Sequence, residues 1–236
     1  QGIRFLAIED KRPTTIKTRV VAHSQHVVRF DQEAKEKIGG RALKGLIAIV
    51  LDAIGEHDAV IVSDYRKGVV TPDLMKTLAR AVKGGKFVAV DPKVGHFHLY
   101  KGMSIITPNL LEASQGSGIE ISSDATLVAA GKRLKSRLSL GAVLITRGEE
   151  GMSLFEDGSV VQIPTLARKV YDVTGAGDTV IAALSIAHAA GASLEQAAII
   201  ANHAAGVVVA EVGTATATPA KLRQSIRSAK LEVVRL

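Results

Sequence analysis

The stretch Val170-Tyr-Asp-Val-Thr-Gly-Ala-Gly-Asp-Thr-Val180 sets Gly175, Ala176 and Gly177 directly before Asp178, at the point where a long apolar run begins. That run, TVIAALSIAHAAG, is apolar nearly all round and ends at Gly191, so it reads as a buried helix with a glycine stop. One reading makes Asp178 a helix cap and Gly175 and Gly177 turn residues. A second reading follows from electrostatics. Open amides and the helix dipole at a buried helix start favour a bound anion. A carboxylate there would repel that anion, unless it is needed to take a proton from a nucleophile. The loop therefore points to phosphoryl transfer, with Asp178 as base and Gly175, Ala176 and Gly177 as the anion hole.

Outward from this loop, strand and helix patterns alternate. The opening runs GIRFLAIE and TIKTRVVAHSQHVVRFD alternate apolar and polar residues, and the second breaks at His23–Gln25, which predicts a hairpin over 14–31. A helix is expected roughly from Glu33 to Gly55, a buried strand over Ala59–Asp64, and a helix over Thr71–Gly84 with Pro72 in its first turn. FVAVD and MSIITPN read as strands, Ala125–Leu138 as a helix and AVLITRG as a strand. GMSLFEDGSVVQIP reads as a hairpin turning at Asp157–Gly158, and further helices finish the chain. This is the pattern of an α/β domain, a doubly wound, mostly parallel sheet with helices on both faces and a small β layer added near the start. Ligands of such sheets bind beyond the carboxyl ends of the strands. Polar groups cluster there at Asp64–Lys67, Asp91–Lys93, Asn109–Glu112 and Thr146–Gly151.

Composition narrows the function. At 236 residues and 47% hydrophobic, the chain suffices for one domain with a sizeable core. It has no cysteine, which removes disulfides and thiolate metal sites and fits a reducing, cytoplasmic setting. No apolar run has the length of a membrane span. The net charge of +7 comes from scattered Lys and Arg, and aromatics are only 3%, so nucleic acid is not the expected partner. An anionic small substrate accounts for the charge equally well. Neither G-x-x-x-x-G-K-[ST] nor a strand-linked G-x-G-x-x-G occurs.

Each remaining constellation has a plain reading beside a chemical one. Asn109 and Glu112 form a capped helix start, or a carboxylate beside hydrated Mg²⁺ and phosphates. SDYRKG and VDPK place Asp64 with Lys67 and Asp91 with Lys93 at strand ends, as surface ion pairs or as substrate ligands. Period-two alternation puts Lys17 and Arg19 on one face of the hairpin, where they either guard an exposed edge or act together on one anion, with Arg29 nearby.

Asn109-x-x-Glu112, Thr146-x-Gly148-x-x-Gly151, Asp172-Val-Thr-Gly-Ala-Gly-Asp178 and Asn202 in an alanine-rich helix occur in this order, and together they resemble the ribokinase family of carbohydrate kinases. The resemblance runs from about Ile16 to the C-terminus. It implies ATP and Mg²⁺, with Asn109, Thr146, Gly148, Gly151 and Asn202 at the nucleotide and Glu112 holding Mg²⁺ through water. It also implies a site for K⁺ at Asp172 and Thr174. The hairpin would be a lid that covers the sugar and pairs two subunits into a homodimer.

Within the family, the runs at Arg12–Glu33, SDYRKGV, VDPK, TPNLLEA and TRGEEGMSL are similar to the branch acting on heptose 7-phosphate in ADP-heptose synthesis for the lipopolysaccharide core. That implies phosphorylation at the anomeric hydroxyl, with Asp64, Lys67, Lys93, Lys17, Arg19 and Arg29 around the sugar phosphate. The alternatives are another sugar or sugar phosphate, or a nucleotide-binding fragment without catalysis. The family carries a further segment before the lid, with a Gly-Gly motif that Gly39–Gly40 does not match. The chain is therefore expected to be an N-terminally incomplete kinase domain.

Overall fold

The computed structural model describes residues 11–22, 25–166, 170–229 and 233–235. The strand expected at Gly2–Glu9 and the hairpin tip at His23 lie outside them. Strands β1 (Ile16–Ala22) and β2 (Gln25–Gln32) form a separate antiparallel ribbon, with a register shift at Val20/Val21. Helix α1 spans Gly40–Ala53. It starts later than expected because Glu33–Gly39 runs as a loop whose Ile38 amide donates to the Gly68 carbonyl at 3.0 Å. Then follow β3 (Ala59–Ser63), α2 (Pro72–Lys83), β4 (Phe87–Asp91), a 3₁₀ turn (Phe97–Tyr100), β5 (Ile105–Ile106), α3 (Leu110–Ser117) and α4 (Asp124–Leu138). The chain continues through β6 (Ala142–Thr146), β7 (Met152–Glu156), β8 (Ser159–Ile163), α5 (Ala176–Ala189), α6 (Leu194–Val209), α7 (Pro219–Ser228) and β9 (Val234–Arg235). Polar caps start the helices as their sequences direct. Thr71 accepts from the Leu74 amide ahead of α2, and Ser123 and Ser193 close capping boxes with Thr126 and Gln196.

The main sheet has seven strands in sequential order β3-β4-β5-β6-β7-β8-β9, parallel from β3 to β6 and antiparallel from β6 to β9. The parallel strands all advance in one direction across the sheet, so right-handed crossovers keep α2, α3 and α4 on one face. Helices α5 and α6 cover the other. Strand alternation divides the core accordingly. Ile106, Val143 and Ile145 pack with Leu74, Leu78 and Leu134, whereas Ile105, Ala142 and Leu144 pack with Val180, Ile181, Leu184 and Ala201.

Two expectations of burial are corrected. Strand β3 is an edge of the sheet among the described residues, and it is only partly buried, with Ile61 exposed. Helix α5 buries one side only, and Ile186 is 70% exposed.

Candidate active site

Parallel strands end on the same side, so Asp64, Asp91, Asn109 and Thr146 meet along one rim of the sheet. An isolated parallel bridge between Asn109 and Thr146 ties two of these ends together. The start of α5 reaches the same rim, where the Tyr65 hydroxyl donates to Asp178 Oδ1 at 3.4 Å.

The cap question is settled by the geometry of α5. Gly175 is the N-cap residue, with φ 80°, and no side chain caps the helix. Asp178 lies in the first turn, exposed, so its carboxylate points to solvent rather than into helix ends. Gly175 meets the left-handed backbone that side chains resist. Open space lies where Gly175 and Gly177 would carry a Cβ, so a ligand can approach these amides closely. The preceding loop is anchored by Tyr171 N–H donating to Val209 O at 2.8 Å and by Thr174 N–H donating to Asp172 Oδ1 at 2.8 Å.

On one side of Asp178 lies a cavity of about 410 Å³, lined by Thr146, Gly148, Gly151, Ala176, Gly177 and Asn202 among mainly apolar neighbours. Four residues expected at the nucleotide are thus brought together against the Gly175–Gly177 loop, while Asn109 lies outside this lining. Asn202 is 3% exposed and donates from Nδ2 to Pro164 O at 2.7 Å, which fixes the cavity wall. Gly151, at φ 88°, is a structural requirement, since a Cβ there would run into the Ile163 carbonyl.

Asn109 and Glu112 realise the capped helix start. Asn109 Oδ1 accepts from Glu112 N–H at 2.8 Å, and Glu112 Oε2 accepts from Asn109 N–H at 3.1 Å. Lys93 Nζ stands 3.4 Å from Glu112 Oε1. Both oxygens of this buried carboxylate therefore have protein partners, and an ion beside it would be met through water. No group of three His, Cys, Asp or Glu side chains suited to a bare metal occurs among the described residues.

On the other side of Asp178 a second cavity is lined by Thr15, Lys17, Asp64, Tyr65 and Lys67. Lys17 Nζ lies 5.6 Å above the Tyr65 ring, a cation–π contact that ties the ribbon to the rim. Lys17 and Arg19 pair in register with Asp31 and Arg29, so these four positions share one face of the ribbon. Arg29 Nε is 3.2 Å from Asp31 Oδ1. Ile16, Val20, Val28 and Phe30 belong to the opposite face and are exposed.

Asp64 is tied into the structure around its own loop. It is 3% exposed, and its oxygens accept from Arg66 N–H, Tyr100 O–H and His96 Nδ1, each at 2.7 Å. These three bonds hold the loop after β3 in place, and the carboxylate also belongs to the lining of the second cavity.

Asp91 was not singled out by the sequence beyond its strand-end position. Burial first, then the charges of Glu112 and Asp178, push its carboxyl up to about 7, against a smaller opposing pull from Lys93. Burial and the Asp178 charge likewise raise Tyr65, which keeps its phenol a donor.

The fold and this rim define a ribokinase-type α/β protein with an open glycine loop directly before an exposed carboxylate. The sequence matches the pfkB family carbohydrate kinase profile over residues 2–221, and the chain belongs to that family. It is 45% identical over 216 residues to the bifunctional protein HldE of Geobacter metallireducens, covering 91% of this chain and 44% of that protein. It is 43% identical to HldE of Nitratiruptor sp. over 98% of this chain and 50% of that protein. The chain thus spans about half the length of the curated relatives it matches. Among solved structures, phosphofructokinase-2 from Escherichia coli in complex with potassium aligns with TM-score 0.78 at 18% identity, over 94% of this chain and 72% of that one. Arabidopsis thaliana ribokinase complexed with ribose and ATP aligns with TM-score 0.70 at 21% identity, over 92% and 70%.

Proposed function

We propose that the protein transfers the γ-phosphoryl group of ATP to the anomeric hydroxyl of heptose 7-phosphate, giving heptose 1,7-bisphosphate and ADP. The observation that carries this reading is the position of Asp178. It stands at the open start of α5, directly after Gly177 of the glycine-lined cavity and bonded to Tyr65, which lines the other cavity together with Lys17. ATP would occupy the first cavity and the sugar the second. Asp178 takes the proton of the sugar hydroxyl as its oxygen attacks the γ-phosphorus and the bond to ADP breaks. The Gly175–Gly177 amides stabilise the charge on the transferred group.

Glu112, met through water, fits Mg²⁺, which keeps most of its waters and would neutralise the phosphates. Asp172 and Thr174, joined in one turn, support a site for K⁺ that orders the anion-hole loop. The ribbon acts as the lid, its Lys17, Arg19 and Arg29 face toward the sugar. Its exposed apolar face favours a second copy of the chain as partner. The HldE names of the relatives and the heptose-type runs in the sequence support the choice of acceptor.

The test is ADP release across heptose 7-phosphate, ribose, fructose 1-phosphate and fructose 6-phosphate. Heptose 7-phosphate is expected to give the highest kcat/KM. A higher value for ribose or a fructose phosphate removes the heptose assignment and keeps the kinase.

A further inference from the structure

Beside the cavity under the lid lies another, of about 600 Å³, whose lining sets five Lys and Arg residues and two histidines among glycines and apolar neighbours. Lys35 and Lys37 come from the loop before α1, Arg66 and Lys67 from the loop after β3, and Lys93 with His96 and His98 from the loop after β4. Three segments far apart in sequence thus aim five permanent cations at one space. Two carboxylates offset them in part. Glu33 pairs with Lys67 and, at 3.6 Å, with Lys35, while Glu112 pairs with Lys93. The Lys67 contact, set against burial, holds the Glu33 carboxyl below its usual range. Among the described residues neither Lys37 nor Arg66 is paired with a carboxylate.

The walls are built rather than incidental. Arg12 Nη1 donates to both Glu36 O at 2.8 Å and Lys67 O at 2.7 Å, which laces the first two loops together. Arg66 adopts φ 54°, a left-handed backbone that a side chain other than glycine rarely takes. Its amide is held by Asp64 Oδ1, and its guanidinium donates to Val94 O at 3.1 Å. Gly95 leaves room for that guanidinium, since a Cβ there would come within 2.9 Å of Arg66 Nη1. Strain kept at one residue and space kept at another both serve to hold Arg66 at this place. Tyr65 and Lys67 line both this cavity and the one under the lid, so the two are neighbours that share these residues, and Tyr65 contacts Asp178.

We propose that this basic cavity binds the phosphate an acceptor sugar already carries, at the end remote from the hydroxyl facing Asp178, with Arg66 and Lys37 as its main ligands. The assignment rests on the kinase reading above and moves recognition of the distal phosphate from the lid cations to the loops after β3 and β4. A guanidinium and an ammonium suit this task because a phosphate offers several strong acceptors, and Arg engages two at once. A neutral sugar has no use for such a wall, so the cavity selects sugar phosphates over sugars.

The experiment uses the complete protein and its Arg66→Gly and Lys37→Ala variants. Glycine accepts the left-handed backbone at position 66, and Lys37 is exposed, so both are expected to fold. Steady-state kinetics with heptose 7-phosphate and with unphosphorylated heptose yield a ratio of kcat/KM values. Each variant is expected to lower that ratio by at least about tenfold, with KM for ATP little changed. A ratio within about twofold of the parent value in both variants overturns the proposal.

A second arm needs no turnover. Inorganic phosphate, titrated by ³¹P NMR and by thermal shift, is expected to bind the parent protein and to bind both variants more weakly. Equal binding to parent and variants, or none to the parent, overturns the anion site whatever the acceptor. Phosphate binding that the variants lose, together with no turnover of either heptose, supports the anion site and removes the heptose reading.

Discussion

The two sides of Asp178 are built by opposite means. The side proposed for the nucleotide presents backbone and small residues, Gly148, Gly151, Ala176 and Gly177, with apolar neighbours. The side proposed for the acceptor presents long charged side chains from four separate segments, among them Lys17, Lys37, Arg66 and Lys93. A surface made of backbone admits a cofactor common to many enzymes, and its chemistry is confined to a few short motifs. A surface made of long side chains sets specificity, and its members lie wherever the fold brings them.

The largest expected effect falls on the residue that joins the two sides. Asp178→Asn is expected to lower kcat by about 10²–10⁴ while KM for ATP stays near the parent value. Its thermal stability should change little, because the carboxylate caps nothing. A variant that keeps most of its kcat would dissolve the division between the two sides, since neither would then meet at a base.

On the nucleotide side the expected effects are steric. Gly151→Ala forces a Cβ against the Ile163 carbonyl at φ 88° and is expected to cost about 1–3 kcal/mol in urea unfolding. Gly148→Ala, at φ 60° with open space around it, should cost only about 1 kcal/mol. Equal costs would mean that backbone conformation alone, and not the tight approach of β8, shapes this wall.

At the rim between the two sides the expected effect is electrostatic. Asp91 is raised to about 7 in the folded protein from an ordinary value near 3.8. The unfolded chain therefore releases this proton first, and the group's contribution to stability is full below that ordinary value and lost as pH rises toward 7. Asp91→Asn removes the charge. It should be more stable than the parent at pH 8 by at least about 1 kcal/mol, with the gain shrinking as pH falls toward 4. A gain independent of pH in denaturation curves would place the cause in packing.

The smallest expected effects concern ions. Glu112→Gln keeps a side chain able to close the capping box, so it should raise the Mg²⁺ needed for half-maximal rate more than KM for the sugar. K⁺ should activate a few fold over tetramethylammonium. Identical rates in the two salts would leave Asp172 and Thr174 as a turn only.

Much of the fold was legible because the signals are local. Period-two runs, Thr71 before Pro72, Ser123 and Ser193 as caps, and the Asp157–Gly158 turn each act within a few residues. Where the expectation failed, tertiary contacts decided. Glu33–Gly39 has helical composition, yet it runs as a loop because the Ile38 amide bonds to Gly68 and Glu33 pairs with Lys67. Helix α5 is apolar nearly all round, and only its packing against α6 and under β3 and β4 selects the side that is buried.

Resemblance to the family grouped Thr146, Gly148, Gly151 and Asn202, whereas the sequence by itself determined the alternating layout and the glycine loop before Asp178. Each of these depends on short-range backbone needs that leave a readable motif. Only the tertiary structure decided that Asp64 is held by His96, Tyr100 and the Arg66 amide, that Asp91 is crowded by Glu112 and Asp178, and that Lys37 and Arg66 face one cavity. Those outcomes depend on which groups meet at a few ångströms across long stretches of chain. Charge and burial act through distance in space, and spacing along the sequence does not encode it.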